Sequence, residues 1–302
     1  MQELIIARGI QASGKTTAAN LWVSSGENRA AVSRDDIRFS LFGKYWDVDE
    51  KAVTKVEDAT ISSLLRNGYS VFVHDTNIES RFVMRLALLG IRRGIKTTVR
   101  EFDISLEEAL RRNAARDRVV PEDVVRKAHK RWLNRKQVDL PVFEPYVRPD
   151  NAEVMSDTVI FDIDGTLAKM NGRSPYDYSL VGTDVPIRQV NTVLTSFVSL
   201  HNYFKQHGRH TWDIVVLSGR KSECREETFN WLKTKTALSN YDFELYMRAD
   251  GDERPDSIVK YELFDKNLRN RNIWGVFDDR ASVVEMWRGL GLRVFAVDEG
   301  DF

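Results

Sequence analysis

Cysteine is almost missing from this chain: Cys224 is the only one in 302 residues. An internal disulfide is therefore excluded, and so sparing a use of thiols fits a reducing, cytoplasmic setting. His201, His207 and His210 have no cysteine partners nearby, so no zinc site is expected from them and surface loops are their expected place. No apolar run reaches 18 residues, and no membrane span is expected. Met1–Arg8 carries neither a basic segment nor a long apolar core, so it is expected to form a first strand and not a signal peptide. Proline is scarce at seven residues, and three of them fall within 140–151, which breaks the periodicity and predicts a linker. Internal repeats and low-complexity tracts are absent.

Neither sign of charge is in excess overall, but the halves differ. Residues 1–150 hold 26 Lys/Arg against 21 Asp/Glu, and residues 151–302 hold 19 against 24. The basic surplus concentrates in 111–136, with ten Lys/Arg and three acids. That stretch suits either a polyanionic ligand or a solvated helix surface, and charge alone leaves both open. Hydrophobic content of 42% allows a sizeable core in each half. The seven tryptophans are scattered and are expected in the core.

Short apolar strands alternate with helical patterns. Strands are predicted at 4–7, 30–33, 71–74 and 96–102, with helices near 15–23, 50–66, 80–93 and 105–116. After the linker the alternation restarts, with strands at 158–161, 213–217, 243–247, 273–277 and 293–297. Helices are predicted there near 186–206, 222–235, 256–267 and 281–289. Alternation of this kind requires crossovers and predicts parallel sheets, so the fold class is α/β in two tandem domains, 1–148 and 149–302.

Gly9-Ile10-Gln11-Ala12-Ser13-Gly14-Lys15-Thr16 follows the first strand and opens a helix. The Gly-x4-Gly-Lys-Thr spacing lets backbone N–H groups and a helix N-terminus surround a β-phosphate, with Lys15 bridging β- and γ-oxygens and Thr16 on Mg²⁺. Gly9, Ser13, Gly14, Lys15, Thr16 and Thr17 are the candidate nucleotide contacts. The next strand ends at Ser33-Arg34-Asp35-Asp36-Ile37-Arg38, where open α/β sheets bind ligands. A carboxylate there can take the proton of an attacking hydroxyl, and arginines can clamp an acceptor. Asp75-Thr76-Asn77 ends a further strand as a candidate acceptor or Mg²⁺ contact. Arg116 stands where a lid arginine is expected, with Arg112 and Arg118 as alternatives.

In the second half, Val159-Ile160-Phe161-Asp162-Ile163-Asp164-Gly165-Thr166 delivers two carboxylates from an apolar strand. Asp162 is suited to attack phosphorus and Asp164 to act as acid, then base. Asp278 and Asp279 add hard oxygen ligands for Mg²⁺. Ser218 and Gly219 can bind phosphoryl oxygens, and Lys260 can neutralise developing charge. In this order the three strand-end motifs indicate a haloacid-dehalogenase-type phosphatase.

With these residues in hand, the chain resembles the bacteriophage, T-even type polynucleotide 5′-kinase/3′-phosphatase family. The likeness covers almost the whole length in the same domain order. It is densest in 161–177, and it extends to Arg34-Asp35-Asp36-x-Arg38, Asp75-Thr76-Asn77, Asp278-Asp279-Arg280, residues 284–288 and the terminal Gly300-Asp301-Phe302. The resemblance implies a P-loop kinase followed by a phosphatase. It assigns Lys15 and Thr16 to ATP (or another NTP) and Mg²⁺, Asp35 to general base, Arg38 to the acceptor and Arg116 to the transferring phosphoryl. Arg34, Asp75, Thr76 and Arg173 join the substrate-binding set. Asp162 is implied as nucleophile and Asp164 as acid/base, with Arg173, Ser218, Arg220, Asp256, Lys260, Asp278 and Asp279 completing the site. It also implies action on RNA and DNA ends, including 3′-phosphate or 2′,3′-cyclic phosphate ends, a homotetramer, and a nucleic-acid ligase as functional partner. The 116–121 segment is one residue shorter than in the family, which keeps Arg118 as the alternative lid arginine. Residues 40–70 and 185–255 match poorly, so Asp256 and Lys260 rest on their four-residue spacing and Asp252 rivals Asp256. A small-metabolite kinase/phosphatase and a non-catalytic nucleic-acid-binding scaffold are the competing functions. The basic stretch with Arg34 and Arg38 opposes the first, and the intact Lys15, Asp35, Asp162 and Asp164 oppose the second.

Overall fold

A computed structural model describes residues 1–152, 156–174, 177–208 and 211–300. The chain packs as two units, Met1–Val142 and Phe143–Phe302. His210, Asp301 and Phe302, named above, and Pro175 and Tyr176 of the 161–177 stretch lie outside the described residues.

In the first unit the predicted strands form β1 (Glu3–Arg8), β2 (Arg29–Val32), β3 (Ser70–Val73) and β4 (Lys96–Glu101). They pair in parallel in the order β2-β3-β1-β4. Leu4, Ile6, Val71, Phe72 and Val73 are wholly buried, the consequence of helices covering both faces of a parallel sheet. The crossover helices are α1 (Lys15–Ser24), α2 (Arg34–Phe42), α3 (Glu50–Arg66) and α4 (Ser80–Ile91), with α5 (Leu106–Ala114) and α6 (Glu122–Leu133) following the last strand.

Two of these helices go beyond the sequence reading. At α2, the Ser33 hydroxyl accepts the Asp36 N–H and Asp35 and Asp36 occupy the first turn, a capped and dipole-matched start. The acidic-basic motif therefore rides on a helix and not a loop. In α6, Val125, Ala128 and Trp132 recur on one face and pack on Ile10, Ile78 and Ala109. The basic 111–136 stretch is thus partly a packed helix. Its outer face carries exposed pairs, Arg126–Glu122 and Lys127–Asp123.

The second unit holds β5 (Asp157–Phe161), β6 (Ala168–Lys169), β7 (Val185–Pro186), α7 (Arg188–Gln206), β8 (Trp212–Lys221), α8 (Arg225–Lys235), β9 (Glu244–Arg248), α9 (Asp256–Asn267), β10 (Asn272–Arg280), α10 (Ala281–Gly289) and β11 (Val294–Gly300). Five strands pair in parallel in the order β11-β10-β5-β8-β9, and β6 pairs antiparallel with β7. Phe161, Phe277 and Phe295 stack across neighbouring strands with centroids 4.6 Å apart. β8 and β10 run past their predicted ends, and their registers shift between Ser218 and Lys221 and between Asp278 and Arg280. Irregularities there re-aim side chains at the carboxyl edge of the sheet.

From Phe143 on, the proline-rich stretch is part of the second unit. Phe143 stacks on Tyr261 at 4.4 Å, and the Tyr146 hydroxyl donates to the Arg271 carbonyl at 2.7 Å. His201 is a correction: it sits within α7 and not on a surface loop, its Nδ1 2.7 Å from the Trp212 carbonyl oxygen.

Candidate functional site

In the first unit the turn after β1 is fixed by the Gly9 N–H, which donates to the Thr76 carbonyl at 2.9 Å. A Cβ on Gly9 would press on the Phe102 carbonyl oxygen at 2.7 Å, so glycine alone keeps the turn this close. Gly14 takes φ +94 and caps α1 without a side chain, leaving the first N–H groups of the helix available to an anion. Lys15 is buried, its Nζ donating to the Ile10 carbonyl (2.6 Å), the Gly9 carbonyl (3.0 Å) and the Ser13 hydroxyl (3.2 Å). Burial pulls its ammonium down to about 8, Asp75 opposes the shift and Arg116 adds to it. The Thr16 hydroxyl lies 3.4 Å from His74 Nδ1. Lys15, Thr16, Thr17, Asp35, Arg38 and Arg116 share one cleft of about 900 Å³.

Opposite the loop, Asp35 stands between two guanidiniums. Arg38 Nη1 donates to its Oδ1 at 2.7 Å, and Arg118 Nη2 pairs with its Oδ2. Arg118 lies 3.9 Å over the Tyr45 ring, and Arg112 is held by Glu108. Among the described residues, the Arg116 guanidinium has no ion-pair partner, so of the three arginines it is the one free to meet a phosphate. Arg34 lines the cleft, but its guanidinium is committed to Glu57 (2.9 Å), Glu50 (2.5 Å) and Thr54 (3.0 Å). Here it braces α3 against α2, as Arg38 does through its own two contacts with Glu50 (2.8 and 3.0 Å). Asp75 Oδ1 accepts the Arg34 N–H at 2.9 Å, while Oδ2 has no partner among the described residues. Burial, reinforced by Glu57, drives its carboxyl well above the ordinary range. Asn77 is buried and bonds the Ala7 carbonyl at 2.9 Å, so the 75–77 cluster ties β3 to the loop.

In the second unit, β5 delivers Asp162 and Asp164 to the carboxyl edge of the sheet. Asp162, Asp278 and Asp279 are buried, with one carboxylate oxygen of each within 4.8 Å of the others. Lys260 Nζ reaches Asp278 Oδ2 (2.8 Å), Asp162 Oδ1 (2.9 Å) and Asp256 Oδ2 (3.8 Å). Even with Arg248 and Arg280 on Asp256, four carboxylates face three cations, which leaves the cluster short of positive charge. Burial lifts Asp162 well above its usual range, Lys260 opposes this, and Asp278, Asp279 and Asp256 add to it. A divalent cation fits such a set of hard oxygens and relieves the same imbalance. Gly165, at φ +83, leaves room for Asp279: a Cβ there would run into its Oδ2.

Asp164 has the opposite environment. Arg220 donates to it through Nε (2.8 Å) and Nη2 (2.6 Å), and Arg173 Nη2 adds a third contact at 3.1 Å. Burial works to raise its carboxyl, but the hydrogen bonds and charge of Arg220, with Arg173, outweigh this and hold it below the ordinary range. Two neighbouring carboxylates are thus pushed apart in acidity. Ser218 is buried, its hydroxyl accepting the Arg220 N–H at 3.2 Å.

Asp256 reaches this site and Asp252 does not. Asp256 sits against Gly219 and pairs with Arg248 (2.9 Å) and Arg280 (3.3 Å), whereas Asp252 is held by Arg254. Sequence reasoning missed Asp184, which is wholly buried and accepts from Arg173 Nη2 (2.8 Å) and Arg220 Nη2 (2.6 Å). The available signal was charge balance, because two buried arginines on one Asp164 require a second carboxylate. Arg248 and Arg280 were also missed.

Residues 156–302 match the model of the polynucleotide kinase PNKP phosphatase domain, and residues 4–138 match an AAA domain model. The chain belongs to the polynucleotide kinase/phosphatase family. Its architecture is a P-loop kinase domain followed by a haloacid-dehalogenase-like phosphatase domain. A protein of Autographa californica nuclear polyhedrosis virus, named as a bifunctional polynucleotide kinase/RNA ligase, is 29% identical over 310 residues. That match covers 96% of this chain and 41% of the relative, so the chain spans about two fifths of that relative's length. A chain in the structure of a Pnkp1/Rnl/Hen1 RNA repair complex is 28% identical, with 100% of this chain and 97% of that one covered at TM-score 0.46. A second Pnkp1/Rnl/Hen1 complex gives 30% identity, 100% and 98% coverage and the same TM-score.

Proposed function

We propose that this chain heals nucleic-acid ends, transferring the γ-phosphate of ATP or another NTP to a 5′-hydroxyl and hydrolysing a 3′-phosphate. The observation that carries this reading is the presence in one chain of both phosphate sites, the first with a carboxylate held between two arginines on its acceptor side. In the kinase domain Asp35 accepts the proton of the attacking 5′-hydroxyl while Arg38 fixes the acceptor. Lys15 follows the β- and γ-oxygens, and Arg116 meets the charge that spreads over the transferring phosphoryl. In the phosphatase domain the Asp162 carboxylate, whose ionised form Mg²⁺ would favour over the neutral one that burial promotes, attacks phosphorus. Asp164 takes up a proton as the bound phosphate draws Arg173 and Arg220 away from it, and gives that proton to the leaving 3′-oxygen. Asp164 then takes a proton from the water that cleaves the aspartyl phosphate, regenerating Asp162. Arg173 and Arg220 hold Asp184 in register for both steps. Mg²⁺ would be held by Asp162, Asp278 and Asp279 in the phosphatase and by Thr16 in the kinase, offsetting phosphate charge. The ends produced, 5′-phosphate and 3′-hydroxyl, are those a nucleic-acid ligase joins, and the viral relative's name couples the kinase to an RNA ligase.

Incubating a 5′-hydroxyl, 3′-phosphate oligonucleotide with ATP and Mg²⁺ tests both halves together. Conversion of both ends is expected, and no change at either end overturns the proposal. Equal turnover of mononucleosides and oligonucleotides points instead to a small-metabolite enzyme.

Lys15 gives a pH prediction. Its ammonium is suppressed to about 8 in the free protein, and bound phosphates favour the charged form. Nucleotide binding should therefore take up protons above pH ~8, and affinity should fall as pH rises through that value. Calorimetric titrations at pH 7 and pH 9, each in two buffers of different ionisation enthalpy, should show proton uptake at pH 9 and little at pH 7.

A further inference from the structure

The last turns of α2 and its connection to α3 place aromatic side chains where a core residue has no reason to be. Trp46 is 58% exposed and Phe39 53% exposed, contrary to the expectation that the tryptophans lie in the core. The buried tryptophans, Trp132, Trp231 and Trp287, do fill cores. Phe39 stacks on Tyr45 at 5.1 Å and 19°, and Tyr45 meets Trp46 edge-on at 5.9 Å. Arg118 covers the Tyr45 ring at 3.9 Å while its Nη2 pairs with Asp35. Tyr45 and Trp46 line the same cleft as Asp35 and Arg38. An aromatic ledge is thus linked through one arginine to the carboxylate assigned as general base.

We propose that Trp46, backed by Tyr45, is the stacking platform for the nucleobase at the 5′ end of the acceptor strand. The proposal rests on the end-healing reading and adds to it the part of the substrate that this ledge recognises. A nucleobase is the occupant that fits both halves of the surface. Its π-face suits the exposed indole, and its sugar-phosphate suits the arginines beside Asp35. Every base has such a face, so the ledge would hold ends of any sequence. Stacking would also set the terminal 5′-hydroxyl against Asp35, because Arg118 joins the platform to that carboxylate.

The test is a KM and kcat series for Trp46→Ala and Trp46→Phe, on 5′-hydroxyl oligonucleotides with an intact and an abasic 5′-terminal residue. Trp46→Ala should raise the acceptor KM for the intact end on the order of tenfold or more, with kcat and the KM for ATP little changed. Trp46→Phe should recover most of the loss, and the abasic end should be insensitive to either change. An unchanged acceptor KM, or an equal rise on intact and abasic ends, overturns the platform. A binding readout separates this outcome from failure of the end-healing reading. Titrating the free protein with a 5′-hydroxyl oligonucleotide should quench tryptophan fluorescence, and that quench should disappear in Trp46→Phe. If the wild type phosphorylates no 5′ end yet shows this quench, the end-healing reading fails and the platform stands. If the quench persists in Trp46→Phe, the platform fails.

Discussion

Asp162→Ala is expected to lower 3′-phosphate hydrolysis on the order of 10⁴-fold or more while 5′-phosphorylation continues. The methyl group cannot attack phosphorus, and no neighbouring carboxylate can replace it. Asp164 is engaged by Arg220 and Arg173, and Asp278 by Lys260 at 2.8 Å. The substitution also removes one of the three oxygens offered to Mg²⁺ and leaves Lys260 without its 2.9 Å partner. Asp162→Asn separates these effects, because the amide keeps the shape and a hydrogen-bonding oxygen but is not a nucleophile. Both variants should be equally inactive if attack by Asp162 is the essential step. Phosphate release and 5′ labelling of one oligonucleotide give the two activities side by side. Substantial hydrolysis by Asp162→Asn would remove Asp162 from the nucleophile role.

Asp35→Ala is the mirror experiment. A general base contributes about 10²–10⁴-fold, and 5′-phosphorylation should fall by that much while 3′-phosphate hydrolysis persists. Asp35 also accepts from Arg38 and Arg118, so alanine frees both guanidiniums inside the cleft. Asp35→Asn keeps an oxygen acceptor for one of them and removes the base. A kcat as low in Asn as in Ala supports proton abstraction, whereas an Asn variant near wild type reduces Asp35 to a positioning residue. Loss of both activities in a folded Asp35 or Asp162 variant would contradict two independent sites.

Much of this arrangement was legible because the signals are local. The P-loop needs glycine at Gly9 and Gly14 for reasons of backbone geometry, and the spacing to Lys15 carries that requirement within eight residues. Asp162 and Asp164 follow an apolar strand that both faces of the sheet bury, so period and motif point to the same edge. The start of α9 was equally plain, since Pro255 precedes it, and in α10 the apolar Val283, Val284, Met286 and Trp287 recur at helical spacing. α2 was hidden because its capping serine and acidic first turn also look like a charged strand-end loop. Asp184 was hidden because its partners Arg173 and Arg220 lie 11 and 36 residues away.

The sequence by itself determined the two parallel α/β units and the strand ends that carry the candidate phosphate-handling residues. Those properties depend on periodicity and on short-range backbone demands that a single segment can satisfy. Only the tertiary structure decided which charges are occupied and which are free. Among the described residues it set Arg34 on Glu57 and Glu50, left Arg116 without an ion-pair partner, placed Asp256 and not Asp252 beside Lys260, and brought Trp46 to the cleft that holds Asp35. Charge pairing and exposure depend on distances between segments far apart in the chain, and those distances exist only after the sheet has formed.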